Sequence, residues 1–199
     1  MTPLDRELVA LASKIDSLSK RSVVGLFWAC STALLPEFQA WAAHRGEQTE
    51  PLLRAAMTVA YEFAAHGTEP PRATPLLAEL EASTPPGESP DAFSSQSAQD
   101  CWICADVSIR ILVESYDPGP AIWFALEPLI SVVSEELYGV SQIGASDEEE
   151  EQVRVLLQQR KVAEALEFLR WATEFLQGHS SPTDDDLALV RSRASALSP

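Results

Sequence analysis

SVVGLFWACSTALLP, residues 22–36, is the longest stretch of the chain without a charged side chain. Its 15 residues are fewer than the roughly 20 apolar residues that a helix needs to cross a bilayer, so we interpret the stretch as a helix buried in a protein core. Candidate inward positions recur at helical spacing through the stretch and beyond it: Phe27, Ser31, Leu34, Phe38 and Trp41. Because proline removes one helical hydrogen bond, we expect a kink or a short break at Pro36.

The residues before this stretch predict another helix. Thr2 is a candidate N-cap, and Pro3 takes the first helical position, where a missing N–H costs nothing. The apolar positions then follow a 4-3-4-3 spacing that places them on one stripe of a helix: Leu4, Leu8, Leu11, Ile15 and Leu18.

Proline and glycine mark the ends of further helices in the next part of the chain. Thr49-Glu50-Pro51 begins a helix that Gly67 ends, and Thr74-Pro75 begins a shorter one. The stretch 83–97 is rich in proline and serine, and we interpret it as a surface loop within one domain.

Residues 98–116 fit two patterns. Apolar residues alternate from Ile103 to Val113, which is typical of a strand, whereas Cys101, Ala105 and Leu112 fall at helical spacing. A lone strand would have no partner for its backbone, and the sequence contains no second clear strand. A helix is therefore favoured.

The C-terminal half predicts more helices and no further clear strand. A helix bent at Pro128 is expected over 121–138, a capping box stands at 146–149, and a helix is expected over 160–177. The chain is thus predicted to be all-α, a single globular domain of about seven or eight helices over residues 1–178. A loosely attached tail, 179–199, is expected to follow, with Thr183 as the cap of one short helix.

Charge is distributed very unevenly along the chain. The 199 residues include 30 acidic and 14 basic ones, which gives a net charge of −16, and 46% are hydrophobic, as in a globular protein. Residues 73–153 hold 16 acidic residues and a single basic one, Arg110. Such a surface repels a phosphate backbone, so no nucleic-acid partner is expected. An acidic face can instead serve solubility or attract a cationic partner.

The compartment follows from the start of the chain and from its cysteines. No basic segment followed by an apolar one stands at the start, so the sequence does not read as a secretory signal. Its three cysteines are too few, and odd in number, for a disulfide scaffold. We therefore expect a cytoplasmic protein with no membrane partner.

Cys101-Trp102-Ile103-Cys104 is the motif that comes closest to known chemistry. A thioredoxin-like pair would begin a helix after a strand, and a zinc site would need two further ligands that the sequence does not supply. We interpret Cys101 and Cys104 as core residues and expect no metal and no cofactor. Asp106, Arg110 and Glu114 are spaced by four, so a helix would align them as an acid–base–acid row.

Three blocks of the sequence resemble the YjaG-like family of small bacterial helical proteins, a domain of unknown function. The first, residues 23–41, has the family's aromatic-rich helix followed by Leu-Pro and an aromatic residue. The second, 97–113, resembles its Ala-x-Asp-Ala helix, with Cys101 in place of the second alanine. The third, 148–178, resembles its Glu-rich closing helix pair, although the Ser-Asn-Ile ending is not present. The resemblance implies a helical fold and no known activity. A looser likeness links the chain to helical immunity proteins of bacterial toxin systems.

The leading functional hypothesis is a non-enzymatic protein-binding protein. Its most concrete form is an acidic immunity or inhibitor protein that neutralises a basic toxin domain, and the candidate binding surface is acidic: Glu114, Asp117, Glu135 and Glu136. One alternative is a homo-oligomer that associates through the stripe from Leu4 to Leu18. The other is a metal or thiol enzyme that uses Cys101 and Cys104.

Overall fold

The structure, a computed structural model, describes residues 3–45, 48–68, 70–83, 92–114, 116–122, 124–125, 137 and 147–195. Within these ranges it is a single helical domain with eight α-helices and no strand. The elements are α1 (Pro3–Ile15), α2 (Lys20–Arg45), α3 (Glu50–His66), α4 (Ala73–Ala82), α5 (Ala92–Val113), a short 3-10 helix (Pro120–Ile122), α6 (Asp147–Gln158), α7 (Arg160–Gln177) and α8 (Asp184–Ser195). The prediction of an all-α domain of seven or eight helices is confirmed. The bend expected at Pro128 and the capping serine at 146 lie outside the described residues.

Helix α2 is the centre of the fold. It packs against α3, α5, α7 and α8, and every residue from 22 to 31 is buried. By length and composition alone, α2 could cross a membrane, but most of its apolar window is covered by the rest of the chain. That environment is the one expected for the core helix of a globular domain.

Helix α2 continues through Pro36 without interruption, so the short break expected there is wrong. Pro36 itself is exposed, whereas Leu34 and Phe38 on either side of it are buried. The carbonyl one turn before Pro36, at residue 32, loses its N–H donor. It can be hydrated on the exposed side while the apolar side of the helix stays in the core. The kink, which was the other alternative at this proline, stays a prediction.

The contact between α2 and α5 is the most extensive helix pairing in the described structure. Ser31 Oγ donates a hydrogen bond to the Cys101 carbonyl at 3.0 Å, and Cys101 Sγ donates one to the Ser31 carbonyl at 3.3 Å. Farther along the same interface, the rings of Phe38 and Trp102 stack with centroids 5.9 Å apart. Small polar side chains thus hold the two backbones close, and large aromatic ones fill the space beside them.

The bounds of α5 test two predictions from the sequence, the helix over 98–116 and the loop over 83–97. Residues 92–113 form one α-helix, so the helical interpretation of 98–116 is confirmed up to Val113 and the strand alternative is wrong. Because α5 begins at Ala92, the loop predicted over 83–97 is too long at its C-terminal end. Serine and glutamine at 94–97 suggested a loop, but they extend a helix whose later turns are fixed by packing on α2.

The C-terminal segment is part of the core, so the expectation of a loosely attached tail over 179–199 is wrong for its described residues. Hydrogen bonds tie residues 179–182 to the start of α2, where Ser22 Oγ donates to the His179 carbonyl at 3.0 Å and an Arg21 guanidinium nitrogen donates to the Pro182 carbonyl at 3.0 Å. The apolar positions of α8 are then buried: Leu187, Val190 and Ala194.

Local sequence explains why α8 begins where it does. Thr183 Oγ1 accepts a hydrogen bond from the Asp186 N–H at 3.3 Å, and the Thr183 N–H donates to Asp186 Oδ2 at 2.9 Å. This reciprocal pair satisfies two backbone donors at the helix start, as in a capping box. The cap predicted at Thr183 is thereby confirmed.

The stripe of α1 faces the interior of its own chain. Helix α1 contacts α6, α7 and the 3-10 helix, and both Leu11 and Ile15 are buried. Leu8 and Leu18 are half-buried against the same core. The described part of this stripe is therefore covered within one molecule, which removes the observation that favoured it as a contact between copies.

Candidate functional site

One of the four predicted binding residues, Glu114, lines a cleft, and a second, Asp117, lies in the chain segment beside it. Glu114 follows the last turn of α5, and Asp117 lies three residues further on, beside a cleft of about 410 Å³. The cleft is lined by Ile15, Asp16, Leu18, Lys20, Val23, Ile111, Glu114, Tyr116 and Pro118. Glu135 and Glu136 lie outside the described residues.

Asp16 and Asp117 form a close pair of carboxyl groups beside this cleft. Asp117 lies in the turn 117–119, where the Gly119 N–H donates a hydrogen bond to Asp117 Oδ1 at 3.1 Å. Gly119 fits tightly against α1, where an added Cβ would lie 2.9 Å from Asp16 Oδ1. Partial desolvation raises the pKa of Asp16, and the charge and hydrogen bond of Asp117 raise it further, while the Gly119 backbone lowers it. A nearby cation would therefore favour the ionised form of Asp16.

This raised pKa predicts a pH-dependent stability. A carboxyl whose pKa is higher in the folded state favours folding at low pH, and that contribution is lost as pH rises from the ordinary Asp value through the raised one. We expect Asp16→Asn to melt at a higher temperature than the wild type at pH 7 and at a similar temperature at pH 3. Thermal melts followed by circular dichroism measure both. Glu62→Gln, which removes one exposed charge from α3, is the control. Equal or lower stability of Asp16→Asn at pH 7 would contradict the assignment.

Glu114 also belongs to a network around Arg110. The Arg110 guanidinium contacts Asp106 at 2.6 Å, Glu81 at 2.6 Å and Glu114 at 3.5 Å. The acid–base–acid row expected along α5 is therefore present. Burial raises the pKa of Asp106 even though Arg110 opposes the shift. The single basic residue of 73–153 thus neutralises part of the acidic segment at this end of α5.

The three cysteines lie in the core. Cys30, Cys101 and Cys104 are all buried and unpaired by disulfides. Burial raises the pKa of Cys30 and of Cys101 to about 12, and it raises the pKa of Cys104 well above its ordinary value. The thiolate, which is the reactive form, is therefore disfavoured at neutral pH. Among the residues that the structure describes, no group of three His, Cys, Asp or Glu side chains could hold a metal ion.

This burial predicts thiols that react only when the chain unfolds. We expect a thiol-specific disulfide reagent to label none of the 3 cysteines of the folded protein and all of them in denaturant, because each sulfur is covered and protonated. Absorbance of the released thiol measures both reactions. Rapid labelling of one or more cysteines in the folded protein would instead revive the thiol-enzyme alternative.

The comparisons with known proteins concern the fold. No protein-family profile matches the sequence, and no curated protein matches it. Its fold is similar to that of a DUF416 family protein from Shewanella baltica. The two structures have a TM-score of 0.71 over 92% of each chain, at 14% sequence identity. A helical fold is therefore the shared feature, as the sequence resemblance implied, and at this identity the likeness extends to the fold alone.

A second cleft, of about 490 Å³, was not predicted from the sequence. It lies between α3 and α8 over α2 and is lined by Trp28, Arg54, Met57, Thr58, Tyr61, Asp184, Ala188 and Arg191. The sequence carries one signal for it, since the lining positions of α3 (54, 57, 58 and 61) and those of α8 (184, 188 and 191) each fall on one helical face. That signal becomes visible only once α8 is placed beside α3.

Proposed function

We propose that the chain is a non-enzymatic protein-binding protein whose acidic surface around Asp16, Glu114 and Asp117 binds a basic partner. The most concrete form of the proposal is an immunity or inhibitor protein that neutralises a basic toxin domain. A cytoplasmic location and membership of the YjaG-like family belong to the same proposal.

The observation that carries the proposal is the carboxyl pair of Asp16 and Asp117. Desolvation raises the pKa of Asp16, the charge of Asp117 raises it further, and the two carboxylates together leave a local excess of negative potential. A lysine or arginine from a partner would offset that negative potential and would favour the ionised form of Asp16. The surface therefore gains electrostatic free energy when a cation arrives, as expected of a binding face.

The surroundings of the pair also support a protein partner. Apolar side chains line the cleft beside Asp16 and Glu114, among them Ile111 and Val23. The charged lining consists of Asp16, Glu114 and Lys20, which leaves it net negative. Such a half-apolar cleft suits a basic protein side chain, because the stem can be buried while the charged head meets a carboxylate. The alternatives have lost support, since the C-x-x-C thiols are buried and the described part of the α1 stripe is covered.

The test is a capture experiment from lysate of the native host, with immobilised protein at low salt and stepwise elution as salt rises. We expect a basic protein to be retained and then released by salt, because screening weakens contacts between exposed charges. The deciding variant is Asp16→Asn/Glu114→Gln/Asp117→Asn, which removes three charges from the cleft while nearly preserving side-chain shape.

A matched control separates a binding face from general acidity. Glu62→Gln/Glu167→Gln/Asp185→Asn removes the same three charges from exposed positions on α3, α7 and α8. The proposal expects capture by the wild type and by this control, and loss of capture by the cleft variant. Capture that is independent of salt, or equal loss from both variants, would overturn it.

A further inference from the structure

The cleft between α3 and α8 combines aromatic rings with guanidinium groups. Trp28 and Tyr61 lie with ring centroids 5.0 Å apart, and both line the cleft together with Met57. Arg54 and Arg191 stand on the two outer helices, one on each side. Trp28 is buried at the floor of the cleft and Tyr61 is half-buried, so a flat ligand could pack on Tyr61 while an acidic group meets an arginine.

The two arginines are unusual in so acidic a chain. Arg191 forms no hydrogen bond or ion pair with any residue that the structure describes, although acidic residues outnumber basic ones by 30 to 14. Arg54 meets Glu50 through its Nε at 2.8 Å, and its terminal guanidinium nitrogens are not used in that bond. Guanidinium groups hold carboxylates and phosphates through parallel N–H donors, so these two groups suit an anion.

Asp184 is the acidic residue of the cleft, and it is already engaged. Tyr61 Oη donates a hydrogen bond to Asp184 Oδ1 at 2.8 Å, and this bond raises the pKa of Tyr61. The bond joins α3 to the first turn of α8 and so sets the width of the cleft. Two arginines and one aspartate leave a net positive lining within a chain of net charge −16.

A small residue of α8 leaves the cleft open. Ala188 is the exposed position of α8 that lies one turn from both Asp184 and Arg191, and a larger side chain there would fill the opening. The volume of about 490 Å³ lies within the roughly 300–1,000 Å³ range of small-molecule sites. It is large enough for a bicyclic ring with an attached acid group.

We infer that the cleft between α3 and α8 binds a small anionic molecule with a planar ring, whose carboxylate or phosphate pairs with Arg191 and Arg54 while the ring packs on Tyr61 and touches only the small exposed part of Trp28. The inference is independent of the proposed protein partner, because the two clefts share no lining residue. The acid group that pairs with the arginines can be a carboxylate or a phosphate, and the test distinguishes the two.

The test follows the side-chain Nε1–H signal of Trp28 by NMR during titration with three probes. Indole-3-acetate presents a carboxylate, adenosine monophosphate presents a phosphate, and tryptamine carries the indole ring with a positive charge. We expect at least one anion to shift the signal with a Kd below about 1 mM and tryptamine to bind at least about tenfold more weakly. The tighter of the two anions identifies the preferred acid group.

Three variants make the test specific. Arg191→Gln removes the guanidinium and should weaken anion binding about tenfold or more, and Ala188→Leu should block the cleft without a change in charge. Arg193→Gln is the control, because Arg193 lies two positions along α8 with its guanidinium 3.9 Å from the Trp171 ring centre. Thermal melts verify that each variant is folded.

The inference would be overturned by any of three results. One is that neither anion shifts the Trp28 signal up to about 10 mM, well above the affinity expected for such a site. Another is that tryptamine binds as tightly as the tighter of the two anions. The third is that Arg191→Gln and Arg193→Gln have equal effects on the Kd.

Discussion

Leu187→Ala is expected to lower the free energy of unfolding by about 2–5 kcal/mol, the range for truncating a fully buried leucine. Leu187 lies on α8 with 0% of its surface exposed. It covers Gly25 of α2 so closely that a Cβ there would come within 2.7 Å of Leu187 Cδ2. Truncation would leave a cavity between the central helix and the C-terminal helix, and urea unfolding followed by circular dichroism measures the loss.

Leu189 provides the matched control, because it is the same residue type two positions along α8 with 42% of its surface exposed. We expect Leu189→Ala to change the free energy of unfolding by less than about 0.5 kcal/mol, as is usual for surface substitutions. Equal effects of the two substitutions would contradict the packing of α8 against α2. A loosely attached tail would give small changes in both variants.

Phe38→Ala is expected to cost about 3–5 kcal/mol of stability, the range for removing a buried aromatic ring. Phe38 has no exposed surface, and its ring contacts those of Trp41 at 5.6 Å and Trp102 at 5.9 Å. The substitution removes the group that joins α2 to α5 at their aromatic contact, and urea unfolding measures the effect.

A less severe substitution of Phe38 tests whether the cavity causes the loss of stability. Phe38→Leu retains most of the volume and should cost distinctly less than Phe38→Ala, since the penalty grows with the cavity left behind. Val9→Ala, at a position on α1 with 59% of its surface exposed, should have little effect. A loss below about 1 kcal/mol for Phe38→Ala would contradict the central place given to the contact between α2 and α5.

The sequence predicted the helices best where the residues at the helix ends agree with the packing of the helix. Gly67 ends α3 with a φ of 72°, a left-handed conformation that glycine adopts without strain. The helix predicted over 160–177 has those bounds in the structure. In α5, residues such as Ile103 and Ile111 gave a strand pattern, and packing on α2 decided in favour of the helix. Alternation is ambiguous in a helix that is buried on several sides.

The predictions that were wrong or missing depend on contacts between residues far apart in the sequence. The apolar spacing of Leu187 and Val190 was visible, but the general tendency of termini to fray outweighed it. What holds this segment is bonding to residues such as Arg21 and Ser22, about 160 positions earlier. The cleft between α3 and α8 depends on that docking, so no local pattern could have predicted it. The carboxyl pair likewise joins α1 to the turn after α5, and only Asp117 was predicted.

We propose that the acidic surface at Asp16, Glu114 and Asp117 contacts a basic partner. Zero-length carbodiimide cross-linking of the complex captured at low salt tests it most directly, because the reaction joins a carboxylate only to an amine that touches it. Mass spectrometry of the digested product identifies the joined residues. We expect cross-links from these three carboxylates to lysines of the partner. Cross-links confined to carboxylates elsewhere, such as Glu62 or Glu167, would contradict it.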